Sequence, residues 1–122
     1  METPYKSKTG FARLRNALIY SFDGFTAAFK HEEAFRQELI AAALLVPIAL
    51  ILPASGVGKA LMIGSVLLVL IVELVNSAIE ATVDRISLEN HRLAKRAKDI
   101  GSAAVFISLV NVGVVWLLVL FD

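Results

Sequence analysis

Three apolar segments, near residues 39–52, 60–81 and 100–121, constrain the fold of this chain more than any other feature. Of its 122 residues, 57% are hydrophobic, whereas soluble domains have ~45–50%. A helix of about 20 apolar residues crosses the hydrocarbon core of a bilayer. We therefore predict an all-α membrane protein, a single domain over 1–122, with transmembrane helices at about 34–52, 60–81 and 100–121.

A further helical pattern precedes the first apolar segment. Large apolar residues recur there at helical spacing, at Phe11, Leu14, Leu18, Phe22, Phe25 and Phe29. Basic and polar residues fall mainly off this stripe, which is typical of a helix lying in the membrane interface. We predict an N-terminal amphipathic surface helix over about 9–30, with Thr9 as its N-cap.

Lysine and arginine are distributed asymmetrically around the apolar segments. Of the 12 Lys and Arg residues, all except Lys59 lie before the first segment or between the second and third. Basic residues in short loops remain on the cytoplasmic side. We expect the N-terminus and the 82–99 loop to be cytoplasmic, and the 53–59 turn and the C-terminus to face the periplasm.

The composition excludes several classes of function. A formal net charge of +1 gives a nucleic-acid partner no electrostatic support. The absence of cysteine excludes disulfides, thiol nucleophiles and Cys-based metal sites. The sequence GVGKA at 56–60 is not a phosphate-binding loop, because Pro53 stands where that motif needs Gly and Ala60 where it needs Ser or Thr.

Four polar residues at and just beyond the end of the second apolar segment are the strongest functional signal. They are Glu73, Asn76, Glu80 and Asp84. At 100° per residue they fall within about 80° of one another, so a helix carries them as one stripe. Carboxylates are costly at membrane depth and generally bind a cation, move a proton or take part in chemistry.

Helix-to-helix hydrogen bonding is the alternative explanation for these acids. Each further buried polar group adds a desolvation cost, so a catalytic role is favoured for the stripe as a whole. We assign Glu73, the deepest acid, as a general base and Glu80 as a ligand of Mg²⁺. Glu32 is the natural second ligand, although Glu33 and Glu38 fit the spacing equally well.

A basic segment, HRLAKRAKDIGS at 91–102, follows the polar stripe. It is predicted as a cytoplasmic loop that both sets the membrane topology and binds phosphate, because cations opposite a carboxylate–metal site suit a polyphosphate. The third span has the small residues Gly101, Ala104 and Ser108, which permit close packing against another helix. Since one three-helix chain has little interior, burying the stripe favours an oligomer.

Three segments resemble a known family: EAFRQE at 33–38, VELVNSAIEATVDRI at 72–86 and AKDIGSAAV at 97–105. Over nearly its whole length the chain resembles the small bacterial integral-membrane diacylglycerol kinases. The pattern E-x-x-N-S-A-I-E-A-x-V-D-R is specific to that family. The resemblance implies phosphorylation of diacylglycerol by MgATP at the cytoplasmic leaflet of the bacterial inner membrane. It also implies a homotrimer with active sites shared between subunits.

The resemblance assigns roles to individual residues. It implies that Glu73 is the catalytic base with Asn76 beside it, and that Glu32 and Glu80 bind Mg²⁺. The implied ATP contacts are Arg13, Tyr20, Glu32, Glu80, Glu89, Asn90, His91, Lys98 and Asp99. The implied lipid contacts are Arg13, Ser21, Glu38, Glu73, Ser102 and Trp116. The chain departs from the family pattern at Asn16, His31, Asn90 and Lys95, which leaves the details of nucleotide contact open.

Two other functions compete with this interpretation. Undecaprenol kinases of the same family have the same catalytic residues, but EAFRQE is more similar to the diacylglycerol enzymes. A small oligomeric cation channel or transporter would need polar residues continuing across a span. The segment Ala60–Val72 offers only Gly64 and Ser65, which argues against such a path. A non-catalytic scaffold would tolerate amides in place of the carboxylates.

Overall fold

Four α-helices form the fold of residues 9–86 and 91–122, which are the residues described by the computed structural model of the chain. They are α1 (Gly10–His31), α2 (Glu33–Ile51), α3 (Gly56–Ile86) and α4 (Arg92–Leu120). The last three are long and apolar enough to cross a membrane. The predicted all-helical architecture with three spans is therefore confirmed.

The start of α1 differs from the prediction in its capping. Thr9 precedes the helix in an extended conformation, but its side chain makes no capping hydrogen bond. Gly10 has a φ of 62°, a left-handed conformation that glycine adopts without steric cost. Thr9 therefore stands at the predicted N-cap position, but the chain enters α1 through the glycine turn and without a capping bond from the Thr9 side chain.

The junction between α1 and α2 is a single extended residue, Glu32. Arg36, in the first turns of α2, reaches back over this junction. Its Nη1 donates to the carbonyl oxygens of Phe29 at 2.8 Å and Lys30 at 3.2 Å. These carbonyls lie at the C-terminal end of α1, where a positive charge also favours the helix dipole. Arg36 thus holds the two helices together at Glu32, the residue that joins them. We refer to these two hydrogen bonds as the Arg36 clasp.

The turn between α2 and α3 is capped on both sides. The Ser55 hydroxyl accepts a hydrogen bond from the backbone N–H of Gly58 at 3.0 Å, which is a normal N-cap for α3. Lys59 Nζ donates to the carbonyl oxygen of Leu50 at 2.8 Å, so one of the carbonyl groups without a partner at the C-terminal end of α2 is hydrogen-bonded. The predicted turn at 53–59 is shorter than expected, because α3 already begins at Gly56.

Helix α4 begins eight residues before the predicted start of the third span. The basic segment 91–102, predicted as a loop, instead forms the first turns of this helix. His91 caps it, since Nδ1 accepts from the backbone N–H of Leu93 at 3.1 Å. Ala, Lys and Arg are strong helix formers, so this basic segment continues the helix of the third span. A change from apolar to basic residues therefore does not mark the end of a helix.

The main helix pair of the fold is α3 with α4, packed antiparallel. At one end Gly58 faces Val119, and the Trp116 indole N–H donates to the Met62 carbonyl oxygen at 3.2 Å. At the other end Gly101 faces Asn76. The small residue predicted to allow close packing at 101 does so within one chain.

Candidate active site

The polar stripe lies on one continuous face of α3, as predicted. Glu73 is 5% and Asn76 8% exposed, Glu80 is partly buried, and Asp84 is exposed. Burial therefore falls steadily toward the C-terminal end of the helix. The stripe offers an enclosed acid at one end and charged groups accessible to water at the other.

Asn76 connects the middle of the stripe to the next turn of the helix. Its Nδ2 donates to Glu80 Oε1 at 3.1 Å. Its Oδ1 is buried and accepts no conventional hydrogen bond. The amide therefore directs its donor toward a carboxylate and its acceptor toward α4.

Glu38 lies beside Glu73, where α2 packs against α3. The two carboxyl groups are close enough to interact electrostatically, and Oε2 of Glu38 is buried without a hydrogen-bond partner. Two neighbouring acids away from water are costly to keep if both are charged. The sequence predicted Glu38 as a lipid contact or a candidate metal ligand, but not as a neighbour of Glu73.

Glu32 and Glu80 approach one another from different elements. The charge on Glu32, at the α1–α2 junction, acts directly on Glu80 of α3. Glu33 is exposed and Glu38 lies beside Glu73, whereas Glu32 is close enough to Glu80 to interact with it, so the structure favours Glu32 among the three candidates for a second ligand.

The donor set fits an open Mg²⁺ site better than a closed one. Residues 9–86 and 91–122 hold no group of three or more His, Cys, Asp and Glu side chains that could bind a metal by themselves. Two carboxylates nevertheless suit Mg²⁺, which keeps several waters and takes further oxygens from substrate phosphates. Glu32 and Glu80 are the residues that would hold it.

Lys98 and Asp99 are adjacent in sequence but have different partners. Lys98 Nζ lies 2.7 Å from Asp84 Oδ1 and so bridges α4 to the stripe. Asp99 Oδ2 lies 2.7 Å from Lys95 Nζ, one turn earlier on the same helix. Both pairs are largely exposed. The structure therefore brings Lys98, but not Asp99, to the end of the stripe.

The other predicted site residues that the structure describes lie on α1 and α4. Arg13, Tyr20 and Ser21 are on α1, and Ser102 is exposed on α4. Trp116 contacts Met62, about 16 Å along α3 from Glu73 at 1.5 Å per residue. His91 acts as the cap of α4. The predicted ATP contacts Glu89 and Asn90 lie outside the described residues.

Two cavities adjoin these acids. The larger, about 620 Å³, separates α1 from α3; Ser21, Glu32 and Ser77 supply polar groups to otherwise mainly apolar walls. The smaller, about 130 Å³, lies among α2, α3 and α4, with Glu38 on its wall beside Ala42 and Val69. A mostly apolar cavity with a few polar groups is suited to a small molecule or part of a lipid.

Fold and site together define a small helical membrane protein with a carboxylate site at one end of its spans. Residues 19–120 match the family model described as prokaryotic diacylglycerol kinase. A diacylglycerol kinase of Pseudomonas aeruginosa is 53% identical over 118 residues, covering 97% of this chain and 96% of that protein.

Two further relatives give the same family. One is a diacylglycerol kinase of Escherichia coli, 50% identical over 93% of each chain. The other is a diacylglycerol kinase of Helicobacter pylori, 43% identical over 94% of this chain and 89% of that protein. The chain belongs to the prokaryotic diacylglycerol kinase family, as its sequence motifs predicted.

Proposed function

We propose that this protein is a diacylglycerol kinase that transfers the γ-phosphate of ATP to the primary hydroxyl of diacylglycerol, giving phosphatidic acid and ADP. One observation carries the proposal: a buried carboxyl group, Glu73, on the polar stripe that leads to charged groups nearer water. This suits one lipid and one water-soluble substrate. The names and identity of the relatives support the same reaction.

Glu73 is the proposed base. It accepts the proton of the lipid hydroxyl while that oxygen bonds to the γ-phosphorus and the bond to the ADP oxygen breaks. The burial of Glu73 supports this role, because it keeps competing water away from the reacting hydroxyl.

The nucleotide is proposed to bind at the outer end of the stripe. Bound Mg²⁺, held by Glu32 and Glu80, would offset phosphate charge and orient the γ-phosphate. Lys98 lies within reach of a phosphate at this end, and Arg13 supplies a second cation from α1. Tyr20, Ser21, His91, Asp99, Ser102 and Trp116 remain proposed contacts from the family resemblance.

The proposed setting is the bacterial inner membrane, with α1 on its cytoplasmic surface. The apolar stripe of α1 supports this, since Phe11, Leu14 and Phe22 are all largely exposed. The basic residues predict cytoplasmic placement for the N-terminus and the 82–99 segment, and a periplasmic C-terminus. We propose a homotrimer, as the family resemblance implies; the apolar surface of α2–α4 that one chain leaves uncovered supports association with other copies.

The test is phosphatidic acid formation by the purified protein in detergent with short-chain diacylglycerol and MgATP. Glu73→Gln is expected to lower kcat by about 10²–10⁴-fold, the usual contribution of a general base. Glu33→Gln, which changes an exposed acid on α2, is the matched control and should retain activity.

Three results would decide against parts of this proposal. Turnover that survives in Glu73→Gln would place the base elsewhere. Faster turnover of undecaprenol than of diacylglycerol by the wild type would replace the substrate. No phosphorylation of either lipid would leave the stripe to transport or packing.

A further inference from the structure

Gly101 of α4 packs directly against the side chain of Asn76 of α3. An added Cβ on Gly101 would overlap Asn76 Oδ1 and meet Asn76 Cγ at 3.0 Å. Both residues are buried, so the amide has little room to move away. Any side chain at this position therefore displaces the amide or separates the helices.

The same geometry accounts for the unpaired amide oxygen. A glycine hydrogen occupies the direction that a Cβ would take, so it points at Asn76 Oδ1. Such Cα–H···O contacts recur where helices pack closely. They make the oxygen side of the amide face α4, which leaves Nδ2 to donate to Glu80 at 3.1 Å.

An inverted amide would be unfavourable at Glu80. It would place Oδ1 against Glu80 Oε1, and two acceptors would then face each other in a partly buried site. Gly101 thus permits the one amide orientation in which the neighbouring carboxylate is hydrogen-bonded. Neither helix provides this arrangement alone.

We propose that Gly101 is a positioning residue of the active site: its missing side chain lets α4 fix the Asn76 amide, which in turn orients the Glu80 carboxylate toward a divalent cation. This inference rests on the proposed role of Glu80 in the kinase. Partners that orient a metal ligand generally affect affinity by about 10–100-fold.

The chain offers two matched controls for ordinary packing. Gly58 also lies at the α3–α4 contact, where an added Cβ would meet Val119 Cγ1 at 2.8 Å. It is about 27 Å from Asn76 along α3 at 1.5 Å per residue. Gly113, on α4, has nothing within 4 Å of an added Cβ. Gly58→Ala tests the effect of crowding the α3–α4 contact at a place that does not involve Asn76. Gly113→Ala tests the effect of a glycine-to-alanine change on α4 where there is no crowding.

The experiment is a titration of the full-length protein with Mn²⁺ in the presence of a non-hydrolysable ATP analogue, followed by electron paramagnetic resonance. Gly101→Ala is expected to weaken Mn²⁺ binding about tenfold. Gly58→Ala should lower thermal stability but keep the Mn²⁺ affinity, and Gly113→Ala should keep the affinity without lowering stability, since alanine is the better helix former. Equal loss of affinity in Gly101→Ala and Gly58→Ala, or none in Gly101→Ala, would overturn the inference.

The inference and the kinase proposal can fail separately. If the wild type phosphorylates no lipid but Gly101→Ala still weakens Mn²⁺ binding, the kinase proposal fails and the positioning role stands. Absence of Mn²⁺ binding in the wild type overturns the positioning role, whatever the activity. If Gly101→Ala does not fold, recovery of folding by Asn76→Ala in the same chain supports the contact, and no recovery contradicts it.

Discussion

Each member of the polar stripe has a partner that suits its depth. Buried Glu73 lies beside Glu38, buried Asn76 donates to Glu80, and exposed Asp84 pairs with Lys98. The ion pair is at the water-exposed end of the stripe, where full charges cost least. The alignment of the stripe and the Asn76–Glu80 spacing could be predicted from helical geometry, but Glu38 and Lys98 could not be predicted as neighbours, because they come from other helices.

Lys98 provides a prediction at this scale. Lys98→Met should raise the KM for ATP about tenfold through loss of a charge-assisted bond to phosphate. It should leave thermal stability nearly unchanged, because exposed ion pairs contribute little. Steady-state kinetics and thermal unfolding in detergent measure the two effects.

Lys95→Met is the control for this substitution. It removes the same charge one turn earlier on α4, from a pair with Asp99 that does not reach the stripe. A similar rise in KM for both variants would indicate a general effect of charge on ATP binding and would argue against a specific contact from Lys98.

At the scale of helices, the ends were less predictable than the spans. The apolar segments located α2, α3 and α4, but α3 runs on to Ile86 and α4 starts at Arg92. Both helices continue beyond the apolar region through charged residues. Hydropathy indicates whether a residue prefers lipid or water, but it does not indicate where the backbone hydrogen bonds of a helix end. The clasp made by Arg36 was not predicted either, although its position at the membrane boundary is visible in the sequence.

The Arg36 clasp leads to a prediction about the junction that contains Glu32. Arg36→Ala removes the bonds to Phe29 and Lys30, which frees the junction. The Mg²⁺ concentration for half-maximal activity should rise about tenfold, as expected when support of a ligand is lost, with a stability loss of about 1 kcal/mol.

Lys59→Ala is a matched control for the clasp. Lys59 also bonds a carbonyl at a helix end, that of Leu50, but in the turn between α2 and α3. Its loss should lower stability to a similar degree without changing the Mg²⁺ requirement. If Arg36→Ala leaves that requirement at the wild-type value, the clasp stabilises the fold without positioning Glu32.

For the whole molecule, the uncovered apolar surface is the dominant feature. In the most apolar 18-residue stretch of α4, only 6% is buried within the chain, compared with 33% for the corresponding stretch of α3. Phe106, Ile107 and Leu118 of α4 are each more than half exposed. Lipid covers part of such a surface, and other copies of the chain can cover the rest. The sequence composition predicted helices that cross a membrane, but it could not specify which helix faces contact another protein chain.

The oligomer gives a prediction at this scale. Native mass spectrometry from mild detergent should give a complex of three 13.2 kDa chains. The active fraction from size exclusion should coincide with it, because the family resemblance implies active sites shared between subunits. A fully active monomer would contradict both the trimer and the shared site.

The Trp116–Met62 contact makes intrinsic tryptophan fluorescence a probe of the packing of α3 against α4. Trp116 is the only tryptophan, and its indole N–H is bonded to α3 while the residue itself belongs to α4. Indole emission depends on the polarity and hydrogen bonding around the ring, so one unlabelled fluorophore reports the closing of this helix pair. Insertion of the protein into bilayers of different thickness could therefore be followed in real time, with no dye or engineered cysteine.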